Sequence, residues 1–317
     1  MGARPSSFKV AEVPVKPERE WSEQQVDIFD WFEDYDDVSD FKSKHLVVRA
    51  RAGTGKTTTI IEGVNRAPET AILVCGFNTT TAEELNRRIT NPNAESKTFH
   101  ALGYAAIRRQ WRGMPVGKGS ERADSLTDMV CAKDTPKPIR RLVSQLHTRA
   151  RDMSPGPLRL EELVNLALRF DFVPDEGWAQ YPLEYVAESA QKVMQIAATQ
   201  DPTYDIGIDF ADMIYLPLAW NLLSKDYQLV VADEAQDLTE AQLEMAQRVC
   251  SGRICVVGDD RQAIYGFRGA DSGSLDRLKH ELGAAELPLV TTYRCCQAVV
   301  RRAQGLVPDI KAAITNP

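Results

Sequence analysis

Leu46-Val47-Val48-Arg49-Ala50-Arg51-Ala52-Gly53-Thr54-Gly55-Lys56-Thr57 decides the fold. Leu46 to Val48 is a short apolar run of the kind that forms a buried strand, and the glycine-bearing turn after it opens a helix at Lys56. Strand, turn and helix in this order are the context of a phosphate-binding loop. Glycines let backbone N–H groups curl toward phosphate oxygens, and the helix N-terminus adds partial positive charge. Lys56 is placed for the β and γ oxygens and Thr57 for Mg²⁺. The strict pattern begins with glycine, and here Ala50, also small, takes that place. The candidate nucleotide contacts are Ala52, Gly53, Thr54, Gly55, Lys56, Thr57 and Thr58, although Thr58 and its neighbour Thr59 also suit packing or capping.

Working outward, Ala71 to Cys75 reads as a second strand, which completes a strand–helix–strand unit of a parallel sheet. Leu229 to Ala232 and Ile254 to Val257 are further β-branched runs, each ending at an acidic cluster. Upstream, Trp21 to Phe32 has the spacing of a short helix with Ser22 as N-cap. From about 106 to 204 the pattern is helical, broken by Pro136, Pro138, Pro155, Pro157 and Pro174. The expectation is an α/β fold, a P-loop NTPase parallel sheet carrying an inserted helical subdomain.

The 317 residues are 43% hydrophobic and 26% charged, enough for two domains with cores of their own. No apolar stretch approaches the roughly 20 residues that span a bilayer, and Met1 to Glu20 lacks an apolar signal region. No membrane partner and a cytoplasmic, intracellular location are therefore expected. Six cysteines without a CxxC pair and four scattered histidines indicate neither zinc nor a disulfide framework. A net charge of −7 argues against a uniformly basic nucleic-acid binder, so any such contact comes from a local patch or from stacking. Ile107 to Arg151 is the basic exception, with 11 Lys/Arg against 4 Asp/Glu.

Val230-Val231-Ala232 delivers Asp233-Glu234-Ala235-Gln236-Asp237 at a strand end. Alone, such a string also reads as a surface acidic cluster or a helix N-cap. Downstream of a phosphate loop it supplies two carboxylates with different tasks. Asp233 reaches the Mg²⁺ shell, and Glu234 orients and deprotonates an attacking water.

The next string, Val256-Val257-Gly258-Asp259-Asp260-Arg261-Gln262-Ala263-Ile264-Tyr265-Gly266-Phe267-Arg268-Gly269-Ala270, resembles motif III of the UvrD/Rep-type superfamily 1 DNA helicases. Asp233 to Asp237 resembles their motif II and Ala50 to Thr57 their motif I. The resemblance implies a RecA-like fold, ATP and Mg²⁺ as cofactors, and ATP-driven movement along single-stranded DNA, 3′ to 5′. It implies that Gln25 reads adenine and that Gln262 senses the γ-phosphate. In Thr292-Tyr293-Arg294-Cys295, similar to motif IV, it implies Tyr293 on adenine and Arg294 on the γ-phosphate; the family's usual residues are Asn and Ser at the positions of Thr292 and Cys295.

On the nucleic-acid side, Gly76-Phe77-Asn78-Thr79 resembles motif Ia, implying Phe77 on a base and Asn78 and Thr79 on the backbone. Thr98-Phe99-His100-Ala101 resembles motif Ib, with Ala101 for the usual Ser and His100 as a contact. Tyr265 and Phe267 would stack bases, Phe267 standing where the family generally has Trp. Asp209 and Asp212 read as structural, capping a helix, and the basic run 107–151 as a duplex or phosphate contact.

By resemblance, 1–105 and 205–285 are the two parts of RecA-like domain 1A, 106–204 is insertion 1B, and 286–317 opens domain 2A. The expected partners are single-stranded DNA, single/double-strand junctions, and a second RecA-like domain that this chain lacks. The expectation is the ATP-binding and ssDNA-binding half of a helicase. A stand-alone module that binds nucleic acid under ATP control, without motor action, is the alternative.

Overall fold

The computed structural model describes residues 20–34, 43–199, 207–262 and 274–316. In chain order the elements are α1 (Glu23–Glu33), β1 (Leu46–Ala50), α2 (Lys56–Arg66), β2 (Ile72–Cys75), α3 (Thr79–Arg88), β3 (Ala94–Lys97) and α4 (Phe99–Gln110). A helical stretch follows: α5 (Glu121–Val130), α6 (Lys137–Met153), α7 (Leu160–Arg169) and α8 (Leu183–Thr199). The chain then returns through α9 (Phe210–Ala219), β4 (Tyr227–Ala232), α10 (Glu240–Val249), β5 (Cys250–Gly258), α11 (Ser274–Leu282) and β6 (Ala285–Leu289). It closes with β7 (Thr291–Thr292), α12 (Gln297–Ala303) and β8 (Lys311–Ala312).

Six strands form one parallel sheet in the order β3-β2-β4-β5-β1-β6, and β7 pairs with β8 apart from it. The sheet is buried on both faces, which is why its strands are nearly continuous apolar runs rather than alternating ones. Successive side chains still point to opposite faces. Val47, Leu73, Val230 and Val256 enter one core, while Leu46, Val48, Ile72, Val74, Leu229 and Val231 enter the other. This is the RecA-like α/β arrangement. The strands expected from sequence are present, and β1 runs on to Ala50. The sequence reading missed β3 and β6, because Ala94-Glu95-Ser96-Lys97 and Ala285-Glu286-Leu287-Pro288-Leu289 carry charges or proline; both are edge strands, where such residues are tolerated.

A third core lies among α5, α6, α7, α8 and α9. Two elements join it to the sheet. α4 gives Phe99, Leu102 and Ala106 to a sheet core and Ile107 to the helical one. α9 gives Ile214 and Leu218 to the first, and Met213, Tyr215 and Leu216 to the second. A Cβ at Gly103 would lie 1.7 Å from Met213 O, so only glycine lets α4 and α9 cross this closely.

Asp209 caps α9, its Oδ1 accepting from the Asp212 N–H at 2.8 Å in a reciprocal capping box, as the sequence implied. Both carboxylates also face arginines from the basic run. Arg151 pairs with Asp209 at 2.7 Å and with Asp212, and Arg122 Nε donates to Asp212 at 3.2 Å. Burial works against the Asp209 charge, but Arg151 holds its pKa below the ordinary carboxylate value. Arg122 and Arg151 have no exposed surface, so these two are not available for the duplex or phosphate contact expected of the run 107–151. Two of its charges pin the helical core to α9.

His147 lies in this cluster, fully buried, with Nε2 3.2 Å from Ala123 O. Burial and then the Arg151 charge push its pKa down from 6.5 to about 3. Below 6.5 the unfolded chain takes up a proton that the folded chain refuses, so stability falls with pH by about 1.4 kcal/mol per unit. From pH 7 to pH 5 the wild type is expected to lose about 2 kcal/mol more than His147→Gln. Urea midpoints of both proteins at the two pH values check this, and equal losses would contradict it.

Candidate functional site

Among the described residues, the strand-end motifs expected from sequence lie along the carboxyl edge of the sheet, where open parallel sheets bind ligands. β1 leads into the phosphate loop. Gly53 and Gly55 have φ of 73° and 85°, left-handed values that favour glycine, and Gly55 is the N-cap of α2. No side chain caps α2, so the first-turn amides face the loop without an internal acceptor. Thr54 is buried and its hydroxyl donates to Arg51 O at 2.8 Å, bracing the turn. Ala52, Lys56, Thr57 and Thr58 are half-buried.

The Lys56 Nζ donates to Glu234 Oε2 at 2.7 Å. Gln236 Nε2 donates to the same oxygen at 2.8 Å, and Gln236 Oε1 accepts from the Asp259 N–H at 3.0 Å. Gln262 Nε2 in turn donates to Asp259 Oδ2 at 2.5 Å. A single hydrogen-bonded chain thus runs from the phosphate loop through the ends of β4 and β5. Glu234 has φ of 52°, a left-handed conformation costly for a side-chain-bearing residue.

Asp233 is buried, and its Oδ1 accepts from the Glu234 N–H at 2.9 Å. Burial first, then the Glu234 charge, raise its pKa to about 6 against the opposing pull of Lys56. Among the described residues no cation forms an ion pair with Asp233. With the Thr57 hydroxyl it offers the hard oxygen donors that suit Mg²⁺. Thr57, Asp233, Glu234 and Gln262 line one cavity of about 420 Å³, together with Phe77 and Asn78.

Residues distant in sequence close over the loop. The Tyr293 N–H donates to Gly53 O at 2.9 Å, and a Cβ at Gly53 would meet Arg294 Cβ at 2.6 Å. The Tyr293 and Arg294 side chains are exposed beside it. Gln25 is buried, with Nε2 donating to Thr59 Oγ1 at 3.0 Å and 3.9 Å from a Cβ built on Gly55. Its Oε1 accepts the Ser22 N–H, completing the capping box of α1. Arg253 of β5 anchors the other end of that helix, binding Trp31 O, Phe32 O and the Glu69 carboxylate.

On the side expected to meet nucleic acid, Phe77 is 38% exposed and Thr79 is exposed. The Asn78 Oδ1 is committed to capping α3, accepting from the Thr81 N–H at 2.8 Å. His100 is half-buried, 3.6 Å from Asp152 and edge-on to Phe210 at 5.9 Å. Phe77, His100 and Phe210 line a second cavity of about 690 Å³ between the sheet edge and the helical core. Tyr265 and Phe267 lie outside the described residues. The sequence reading missed Gln236, which joins two motifs, and Phe210, 67% exposed at the start of α9. A phenylalanine directly after a capping aspartate, on the solvent side of a helix start, is the signal it passed over.

The model of the UvrD/REP helicase N-terminal domain matches residues 33–283. Over 84% of its length the chain is 27% identical to DNA helicase II of Rickettsia typhi, covering 43% of that protein. It is 26% identical to the F-box DNA helicase protein 1 of Schizosaccharomyces pombe, covering 30% of it, and 23% identical to DNA helicase II of Escherichia coli, covering 38%. The chain therefore spans between 30% and 43% of the length of these relatives. Matched over most of its length, the chain belongs to the UvrD/REP helicase family, in which it corresponds to the N-terminal domain.

Proposed function

We propose that this chain binds ATP with Mg²⁺ at the carboxyl edge of its sheet and is the ATPase half of a DNA helicase that moves along single-stranded DNA. The observation that carries the reading is the chain Lys56–Glu234–Gln236–Asp259–Gln262 beneath an uncapped glycine loop. Lys56 pairs with Glu234 at 2.7 Å. When a triphosphate enters, its β and γ oxygens compete for Lys56. Glu234, released from the lysine, then accepts a proton from the attacking water. Gln236 keeps its carboxylate oriented and passes the change to Asp259 and Gln262. Thr57 and Asp233 would hold Mg²⁺, which supplies charge neutralisation for the phosphates. Gln25 and Tyr293 would bind adenine, Ala52 to Thr58 the phosphates, and Arg294 the γ-phosphate.

On the DNA side, Phe77, Asn78, Thr79, His100, Tyr265 and Phe267 would make the contacts. Exposed rings at the Phe77–His100 cavity suit sequence-independent stacking, worth about 1–3 kcal/mol per base. In this reading 1–105 and 205–285 form domain 1A, 106–204 is the 1B insertion, and 286–317 begins 2A. The separate helical core supports that division, although α4 crosses residue 106. A second RecA-like domain would complete the ATP site, and closure between two such domains would drive 3′ to 5′ movement. Work on intracellular DNA and at single/double-strand junctions follows from the same reading.

The chain alone is expected to bind single-stranded DNA weakly, with strong salt dependence, and not to unwind a duplex. Strand displacement on a tailed duplex, run with this chain and with a longer protein containing it, tests this. Unwinding only by the longer protein supports the reading. Robust unwinding by the isolated chain would overturn it.

A further inference from the structure

Arg51 sits inside the phosphate loop, one residue beyond β1, yet its side chain is only 5% exposed. A cation in a loop that wraps anions is placed to meet the anion. Here the guanidinium is engaged by three carboxylates of the chain instead. Nε donates to Asp309 Oδ1 and Oδ2 at 3.0 and 2.9 Å, and Nη2 pairs with Asp309 Oδ2 at 2.7 Å. Nη1 donates to Asp260 at 2.6 Å and to Asp259 at 3.3 Å. Arg49 holds the second oxygen of Asp260 at 3.2 Å, so this carboxylate is clamped between two arginines.

The three partners belong to segments that flank the proposed ATP site. Asp259 and Asp260 open the turn that ends at Gln262. Asp309 lies two residues before β8, and β8 pairs with β7, whose next residues are Tyr293 and Arg294. The hydrogen bond to Arg51 holds the Asp309 carboxyl below its ordinary pKa, so the grip is ionic at neutral pH.

We propose that Arg51 is a positioning residue, a latch that ties the Tyr293–Arg294 segment and the Asp259–Gln262 turn to the phosphate loop. Nucleotide retention then depends on Asp309, a residue outside every motif that would touch nucleotide. The proposal rests on the ATP-site reading. A planar fork is needed to span three carboxylates, and a lysine cannot replace it.

The test uses Asp309→Asn, Arg51→Lys and the double variant in the chain as it stands. Two quantities are measured: hydrogen exchange of the Tyr293 amide without nucleotide, and release of a fluorescent ADP analogue with Mg²⁺. Each single variant is expected to speed both by about tenfold, the loss of one charge-assisted grip. The double variant is expected to be no faster than the worse single one, since both break one contact. Asp309→Asn leaves Arg51 paired with Asp259 and Asp260, and the Asp309 side chain is 45% exposed, so the variant is expected to stay folded with a thermal midpoint within a few degrees of the wild type. Unchanged Tyr293 exchange in both single variants would overturn the latch. If Lys56→Ala retains ADP, the ATP-site reading fails instead, and Tyr293 exchange, which needs no nucleotide, still decides the latch.

Discussion

Glu234→Gln is expected to bind ATP and Mg²⁺ as the wild type does and to hydrolyse ATP about 10²–10⁴-fold more slowly, the usual worth of a positioned general base. The amide keeps the size and the acceptor oxygen for Gln236, which now donates to Glu234 Oε2 at 2.8 Å. It loses the ability to take a proton from water. It also loses the charge that holds Lys56 at 2.7 Å, so affinity for nucleotide is expected to hold or to rise. Single-turnover hydrolysis beside nucleotide affinity, in a longer protein carrying this chain, separates the two effects. Loss of affinity in step with rate would make Glu234 a structural residue or a metal ligand rather than the base.

Much of the sheet was legible because its burial leaves a plain trace. β1, β2, β4 and β5 are apolar runs in a charged chain, and each ends where the backbone must turn. The N-cap at Ser22 and the capping pair Asp209–Asp212 were equally local and equally readable. What stayed hidden was non-local. The approach of Tyr293 and Arg294 to Gly53 was implied by the resemblance and not by any local pattern, because that contact is fixed by the pairing of β6 beside β1. Arg51 and Gln236 were given no role within their motifs. Their partners, Asp309, Asp259 and Asp260, come from other strands' ends. Arg122 and Arg151 were misread for the same reason: charge counts along a segment do not say which charges face inward to carboxylates on another helix.

The most direct measurement of the central claim is calorimetric titration of the 317-residue chain with ATP and Mg²⁺, for the wild type and for Lys56→Ala. Removing Lys56 deletes the cation that faces the loop and leaves Glu234, 35% exposed in its side chain, repelling the triphosphate. Truncating one partner of such a charged contact costs about 2–5 kcal/mol, so affinity is expected to fall roughly thirty-fold or more. Saturable binding of one ATP by the wild type, abolished or weakened to that extent in Lys56→Ala, is the result predicted. Binding of equal strength in both proteins, or none in the wild type, would contradict the assignment of this glycine loop as the ATP site.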